Sequence, residues 1–352
     1  IVCHWSNLAS YKCTQTFKFY PIRCGLDLLT LYYKYFIMSA IPSVDLKDFV
    51  SGDQIRKQKF INEIGSAFEN IGFVALKSHF LSDELVAKLY QEIKLFFELP
   101  QNIKDQYEVP GLSGQRGYTS FGKEHAKGKK EGDLKEFWHF GQYEDAPKGS
   151  GDHYPDNIHV KELPHFNEIG KEVYIALEKT AQEVLKALAL HIGLEEHYFE
   201  QYATAGNSIL RPIHYPPITS EPKNAVRAAA HGDINLITLL MGAHGRGLQV
   251  KNHHGQWVDA IANEDELMIN VGDMLSRLTN NQLKSTIHQV INPPKELWGT
   301  SRYSIPFFMH PVSSMPLNCL ENCISKEHPK GFEDISAGAY LEERLIELGL
   351  KK

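Results

Sequence analysis

From Gly206 onward the chain is written in short β-rich runs, and that rhythm limits its possible folds more than any other feature. Ser208–Tyr215, Leu236–Leu240, Gly247–Lys251, Gln256–Asp259, Glu266–Val271, Ser285–Asn292 and Arg302–Met309 are short and favour extended backbone. Turn segments such as Gly242–Gly247 and Asn252–Gly255 part them. Many strands at this spacing predict a sandwich or jelly-roll barrel, in which each sheet buries one face against the other.

The stretch before Gly206 follows a different period. Ile55, Phe60, Ile61, Ile64, Ala67 and Phe68 recur at helical spacing over Gln54–Asn70, and Gly72 follows as a stop. Phe73–Lys77 reads as a strand. Ser82 is placed to cap a helix with Leu85, Leu89, Ile93 and Phe97 along one side, ending before Pro100. Phe166–His191 is the longest helical pattern, Gly111–Gly132 reads as loop, and a closing helix is expected over about Ser336–Leu348. The expected class is mainly β with a helical front part. Its expected regions are a helical and mixed part (38–200), a β core (201–312) and a C-terminal helical tail (313–352).

Residues 1–37 stand apart. They hold nine aromatics, four basic side chains and the single acid Asp27, and Met38 then opens a Met-Ser-Ala-Ile-Pro start. The charge-free run around Leu28–Tyr33 is far short of the ~20 residues of a membrane span. We read this segment as an upstream extension with no part in the fold.

With 42% hydrophobic and 23% charged residues, the chain is not disordered, collagen-like or a disulfide scaffold. A net charge of -6 gives no reason to expect nucleic acid or an anionic membrane as partner. Cysteines occur at positions 3, 13, 24, 319 and 323 only, so the main body can carry neither cross-link nor thiolate-bound metal. That favours a reducing compartment, hence the cytoplasm. Cys319 and Cys323 read as ordinary thiols, since no second Cys or His pair accompanies them.

The chemistry-bearing set lies in the β-rich half. In Ala230-His-Gly-Asp-Ile234, residues two apart on a strand share a face, so His231 and Asp233 are expected to project together into the barrel. Such a pair is weak by itself. His288, in Ser285-Thr-Ile-His-Gln-Val290, supplies a third ligand on a later strand. Two imidazoles and one carboxylate, leaving coordination positions open, make the arrangement used by non-haem Fe(II) oxygenases. Further on, Arg302 and Ser304 share a strand face, forming a fork for a small carboxylate, to which the Tyr215 phenol can add a hydrogen bond. An inward arginine demands an anionic partner, because an unpaired buried charge costs several kcal/mol.

This set resembles the 2-oxoglutarate- and Fe(II)-dependent dioxygenases, and more narrowly the isopenicillin N synthase-like branch. Ile41-Pro-Ser-Val-Asp-Leu46, Gly72-Phe73, Gly117-Tyr118, Asp133-Leu-Lys-Glu-Phe-Trp138, the Tyr215-Pro216 strand and Asp233–Leu240 extend the likeness over almost all of 41–311. The resemblance implies a double-stranded β-helix core, Fe(II) on His231, Asp233 and His288, and 2-oxoglutarate on Arg302, Ser304 and Tyr215. It implies oxidation of a small molecule by O2, as hydroxylation or desaturation, with release of succinate and CO2. Tyr118, Phe137, Trp138, Arg211, Leu240, Phe307 and Phe308 are candidates to line the substrate pocket. Two features depart from the pattern. Gly232 stands where Thr or Ser is frequent, and the interval from His288 to Arg302 is long, which we read as a lengthened turn at Pro293–Thr300. Rival readings are an isopenicillin N synthase-type oxidase that uses no 2-oxoglutarate, and a non-catalytic small-molecule-binding barrel.

Overall fold

The computed structural model describes residues 41–347 apart from 113, 125–131, 146–151, 223–224 and 243–246. The extension expected over 1–37 and part of the loop expected over Gly111–Gly132 lie outside the described residues. The strands are β1 Ser43–Asp45, β2 Phe73–Lys77, β3 Gly117–Thr119, β4 Glu136–His139, β5 Ile209–Leu210, β6 Ile213–Tyr215 and β7 Ala228–His231. They continue as β8 Ile237–Met241, β9 Leu248–Lys251, β10 Trp257–Asp259, β11 Leu267–Val271, β12 His288–Val290 and β13 Arg302–Met309. The helices that frame them are α1 Gln54–Asn70, α2 Asp83–Glu98, α3 Phe166–His191, α4 Asp273–Leu278 and α5 Ala337–Glu347.

A large sheet runs in the order β1-β2-β11-β8-β13-β6-β4-β3, with β5 also on β13; a smaller one runs β10-β9-β12-β7. Apart from the parallel β1–β2 pair, the ladders are antiparallel. Phe73, Ala75 and Met268 of the large sheet pack with Ala228, Leu248, Val250 and Val290 of the small one. Burying that apolar surface, at about 25 cal/mol per Å², holds the two sheets face to face.

The helices cover the other face of the large sheet. Asp53 accepts from the Ile55 and Arg56 amides to start α1, and Ser82 accepts from Leu85 to start α2. The α3 stripe of Phe166, Val173, Leu177, Ala181, Val184 and Leu188 is wholly buried and runs against α1, α2 and β13. Helix and strand periods were therefore legible. Two stretches were not. β3 lies inside the segment read as loop, and it is a strand because it pairs with β4, which in turn pairs with β6. Three residues cannot show a period, so only tertiary pairing makes them a strand. α4 follows β11 with too few residues for a helical stripe.

Candidate active site

His231 ends β7, and across the antiparallel ladder its register partner is His288 on β12. The two rings lie 4.5 Å apart between centroids. Asp233 is not on that strand, contrary to expectation: β7 stops at His231, and Gly232 turns the chain toward β8. The Asp273 amide at the start of α4 donates to the Asp233 carbonyl at 2.7 Å, which fixes the turn. A Cβ on Gly232 would come within 3.2 Å of Ser285 Oγ and 3.3 Å of Asp273 Oδ1, so a side chain there needs that bonded pair to yield. The turn still brings the three ligands together. Asp233 Oδ1 is 4.0 Å from His231 Nε2 and 3.8 Å from His288 Nε2, and one donor atom from each residue fits within 4.8 Å. Among the described residues this is the one cluster of three or more such groups able to hold a metal ion.

Each ligand is aimed by its surroundings. His231 Nδ1 lies 2.7 Å from the Ala229 carbonyl, and His288 Nδ1 lies 3.2 Å from that of Thr286. A carbonyl only accepts, so the proton sits on Nδ1 and the Nε2 lone pairs face inward. Asp233 Oδ2 accepts from Thr238 Oγ1 at 2.6 Å and Asn270 Nδ2 at 2.7 Å, leaving Oδ1 for a cation. Burial pushes the Asp233 carboxyl up, but His288, His231 and the two hydrogen bonds hold it below its ordinary value. Burial, together with neighbouring His288, draws His231 down to about 4 against the pull of Asp233. Near neutral pH the set is a carboxylate with a neutral imidazole at its side, which suits a divalent metal. Thr238 and Asn270 face each other across β8 and β11 and were missed from the sequence. Their signal was a polar residue inside an apolar strand.

Deeper in, Arg302 opens β13 opposite Tyr215 of β6, and the long turn before it holds a short 3-10 segment, Lys295–Leu297, without shifting that register. The Arg302 guanidinium lies 5.1 Å from the Tyr215 ring centroid, and Ser304 Oγ is 3.5 Å from the Tyr215 hydroxyl. Arg302 Nε and Nη1 are buried with no hydrogen-bond partner among the described residues. Leaving two such donors unpaired costs about 1–3 kcal/mol each. Donors of this kind fit an anionic partner.

One cavity of about 1030 Å³ joins the two ends, with His231, Asp233, His288, Tyr215, Arg302 and Ser304 all on its wall. Its outer wall is built around Arg211. The guanidinium sits 4.4 Å from the Phe137 ring and 5.1 Å from Phe308, donates through Nε to His139, and pairs with Glu124 at 3.3 Å. Lys135 bridges Glu124 at 3.2 Å and Asp133 at 2.8 Å. Burial and the adjacent Arg211 hold His139 well below its ordinary value, so the ring is a neutral acceptor. His139, Glu124 and Lys135 were not foreseen, because each is one charged or polar residue among many.

Of the substrate candidates, Tyr118, Phe137, Arg211, Leu240 and Phe308 lie on the cavity wall. Trp138 and Phe307 do not, and this corrects the expectation. Both are fully buried on the opposite strand face: Trp138 packs on Phe96 and Phe166, Phe307 on Tyr174. Alternation forbids neighbours on one strand from sharing a face. Tyr118 is committed elsewhere, its hydroxyl bonded to Glu136 and its ring beneath Lys104. Leu341, Arg344 and Leu345 of α5 complete the rim, and Tyr340 holds α5 to Asp273 at 3.1 Å.

Known proteins share this fold over most of the chain. Residues 41–162 match the family described as the N-terminal domain of the non-haem dioxygenase in morphine synthesis, and 206–311 match the 2OG-Fe(II) oxygenase superfamily. A 2-oxoglutarate-Fe(II) type oxidoreductase, hxnY of Emericella nidulans, is 31% identical over 86% of this chain and 90% of its own length. A 2OG-Fe(II) oxygenase family protein of Caulobacter crescentus, known as a crystal structure, is 42% identical with a TM-score of 0.78, covering 88% of this chain and 99% of that one. A full-length Neurospora crassa protein, solved in complex with alpha-KG, is 31% identical with a TM-score of 0.77, covering 87% and 95%. The two facing sheets are thus a double-stranded β-helix, the ligand set and the unpaired guanidinium fit Fe(II) and 2-oxoglutarate, and the chain belongs to the 2-oxoglutarate- and Fe(II)-dependent oxygenase superfamily.

Proposed function

We propose the following division of labour for this 2-oxoglutarate-dependent dioxygenase. His231, Asp233 and His288 hold Fe(II). Arg302, with Ser304 and Tyr215, seats the far carboxylate of 2-oxoglutarate. A small polar molecule enters against Phe137, Phe308 and Arg211 and is hydroxylated. When bound, Fe(II) and 2-oxoglutarate supply the oxidising chemistry with O2, releasing succinate and CO2. The chain's residues bind and orient. Thr238 and Asn270 keep one Asp233 oxygen pointed inward, and His139 and Glu124 fix the Arg211 fork between two aromatic faces. An aromatic lining of this kind suits a planar molecule. Thymine is the first probe, since the Neurospora crassa relative has also been solved with alpha-KG and thymine.

One observation carries the reading: the open-faced ligand set and a guanidinium with two unspent buried donors share a single cavity. The test is oxygen uptake and succinate release by the Fe(II)-loaded protein over a panel of small polar compounds. Uptake should depend strictly on 2-oxoglutarate. Uptake without it would favour the oxidase reading. An anaerobic charge-transfer band with Fe(II) and 2-oxoglutarate, but no succinate with any compound, would favour a binding barrel. Among the described residues no helix is long and apolar enough to cross a membrane. We place the chain in the cytoplasm on its cysteine usage, with Cys319 and Cys323 both free thiols.

A further inference from the structure

Behind the anchor arginine lies a second cavity, of about 820 Å³, whose wall holds none of His231, Asp233 and His288. It sits beside the Pro293–Thr300 connection, and Arg302 lies on the wall of both cavities. Arg227 lines only this rear one. Arg227 is 4% exposed, its Nε has no partner among the described residues, and its one hydrogen bond there is from Nη2 to the Thr300 carbonyl at 3.3 Å. Its guanidinium lies 5.8 Å from the same Tyr215 ring that Arg302 approaches at 5.1 Å. No carboxylate among the described residues forms an ion pair with either arginine. Asp259 and Glu264 do line the rear cavity, but both are exposed at its rim, where Gln249 already donates to Asp259. Lys94 stands at the same rim, near the Tyr303 ring.

Two guanidiniums on one aromatic ring repel each other, and a single carboxylate can neutralise only one of them. In the front cavity the far carboxylate of 2-oxoglutarate answers Arg302. Arg227 is absent from the wall of that cavity. We infer that the rear cavity is a second anion site, built on Arg227 and the back edge of Arg302, that takes a small carboxylate such as 2-oxoglutarate or succinate. It rests on the reading of Arg302 as the co-substrate anchor, and it makes that residue a wall shared by two ligands. Guanidinium forks favour a planar carboxylate over a spherical anion, which sets the ligand class.

The test is calorimetric titration of the full chain, loaded with Mn(II), with 2-oxoglutarate. Two binding events are expected, one requiring the metal and a second, weaker one that survives metal removal and fades with added chloride. R227Q should weaken the second at least tenfold and leave the first unchanged, with R227K falling between them; thermal melts report whether each variant is folded. D233A should remove the first alone. A single event that requires the metal, with no metal-independent one beside it, overturns the inference. So does a metal-dependent event weakened by R227Q as strongly as the second, which would assign Arg227 to the co-substrate pocket. Loss of the metal-dependent event with the Arg227-dependent one intact would instead strike the reading of the front site.

Discussion

The two ends of the active cavity are built on opposite principles. At the metal end every auxiliary bond is already made: both Nδ1 atoms face carbonyls, and the outer Asp233 oxygen is taken by Thr238 and Asn270. At the anchor end Arg302 keeps two buried donors unmet. The protein spends its own groups where geometry must be held before the cation arrives. At the other end, two donors stay without a partner among the described residues. Unmet donors are costly in the empty fold and rewarding in the loaded one, so the anchor end should report on the co-substrate, the metal end on the metal.

Several substitutions break or sharpen this contrast. The largest effect belongs to Asp233→Ala, which should abolish metal content and lower succinate release by about a thousandfold or more, with the melting temperature of the metal-free chain little changed. Turnover retained by this variant would refute the ligand assignment. Next comes Arg302→Leu, expected to raise KM for 2-oxoglutarate by about a hundredfold, the cost of removing a charged anchor. Because it also deletes an unpaired charge, the ligand-free variant should melt no lower than the parent, while the gain on adding 2-oxoglutarate disappears. A lower melting point without ligand would mean that Arg302 has a structural partner.

Asn270→Ala should be milder, weakening metal binding by about 10–100-fold with KM for 2-oxoglutarate unaffected, as metal titration against steady-state kinetics can show. The smallest effect is in pH. Burial draws both His231 and His310 to about 4 in the fold. The unfolded chain takes up those protons near 6.5, so stability of the metal-free protein is full above that value and falls as pH drops toward 4. Melting temperatures from roughly pH 7 to 5 should therefore decline, since the unfolded histidines protonate across that interval. A flat profile would show that neither ring is held neutral.

The contrast also separates what was legible in the sequence. His231, Asp233 and His288 stood out because two imidazoles and a carboxylate are rare enough in strand context to be noticed. Arg302 and Ser304 shared a face by simple alternation. The same alternation was neglected for Phe137 with Trp138 and for Phe307 with Phe308, where one of each pair had to turn into the helix-facing core. Asn270 and Thr238 lie in separate runs, and only the register of β11 on β8 sets them side by side behind Asp233. The rear arginine, Arg227, gave no signal at all.

Chemistry confined to one strand or one turn was therefore written in the sequence, because backbone geometry fixes which neighbours share a face. Residue types, ligand spacing and helix stripes all belong there. What the tertiary structure alone decided is which distant side chains meet: the ladder that stacks His231 on His288, the bonds that aim Asp233, and the two cavities parted by Arg302. Such meetings depend on strand register and sheet packing, whose energies are summed over the whole core and leave no local mark on the chain.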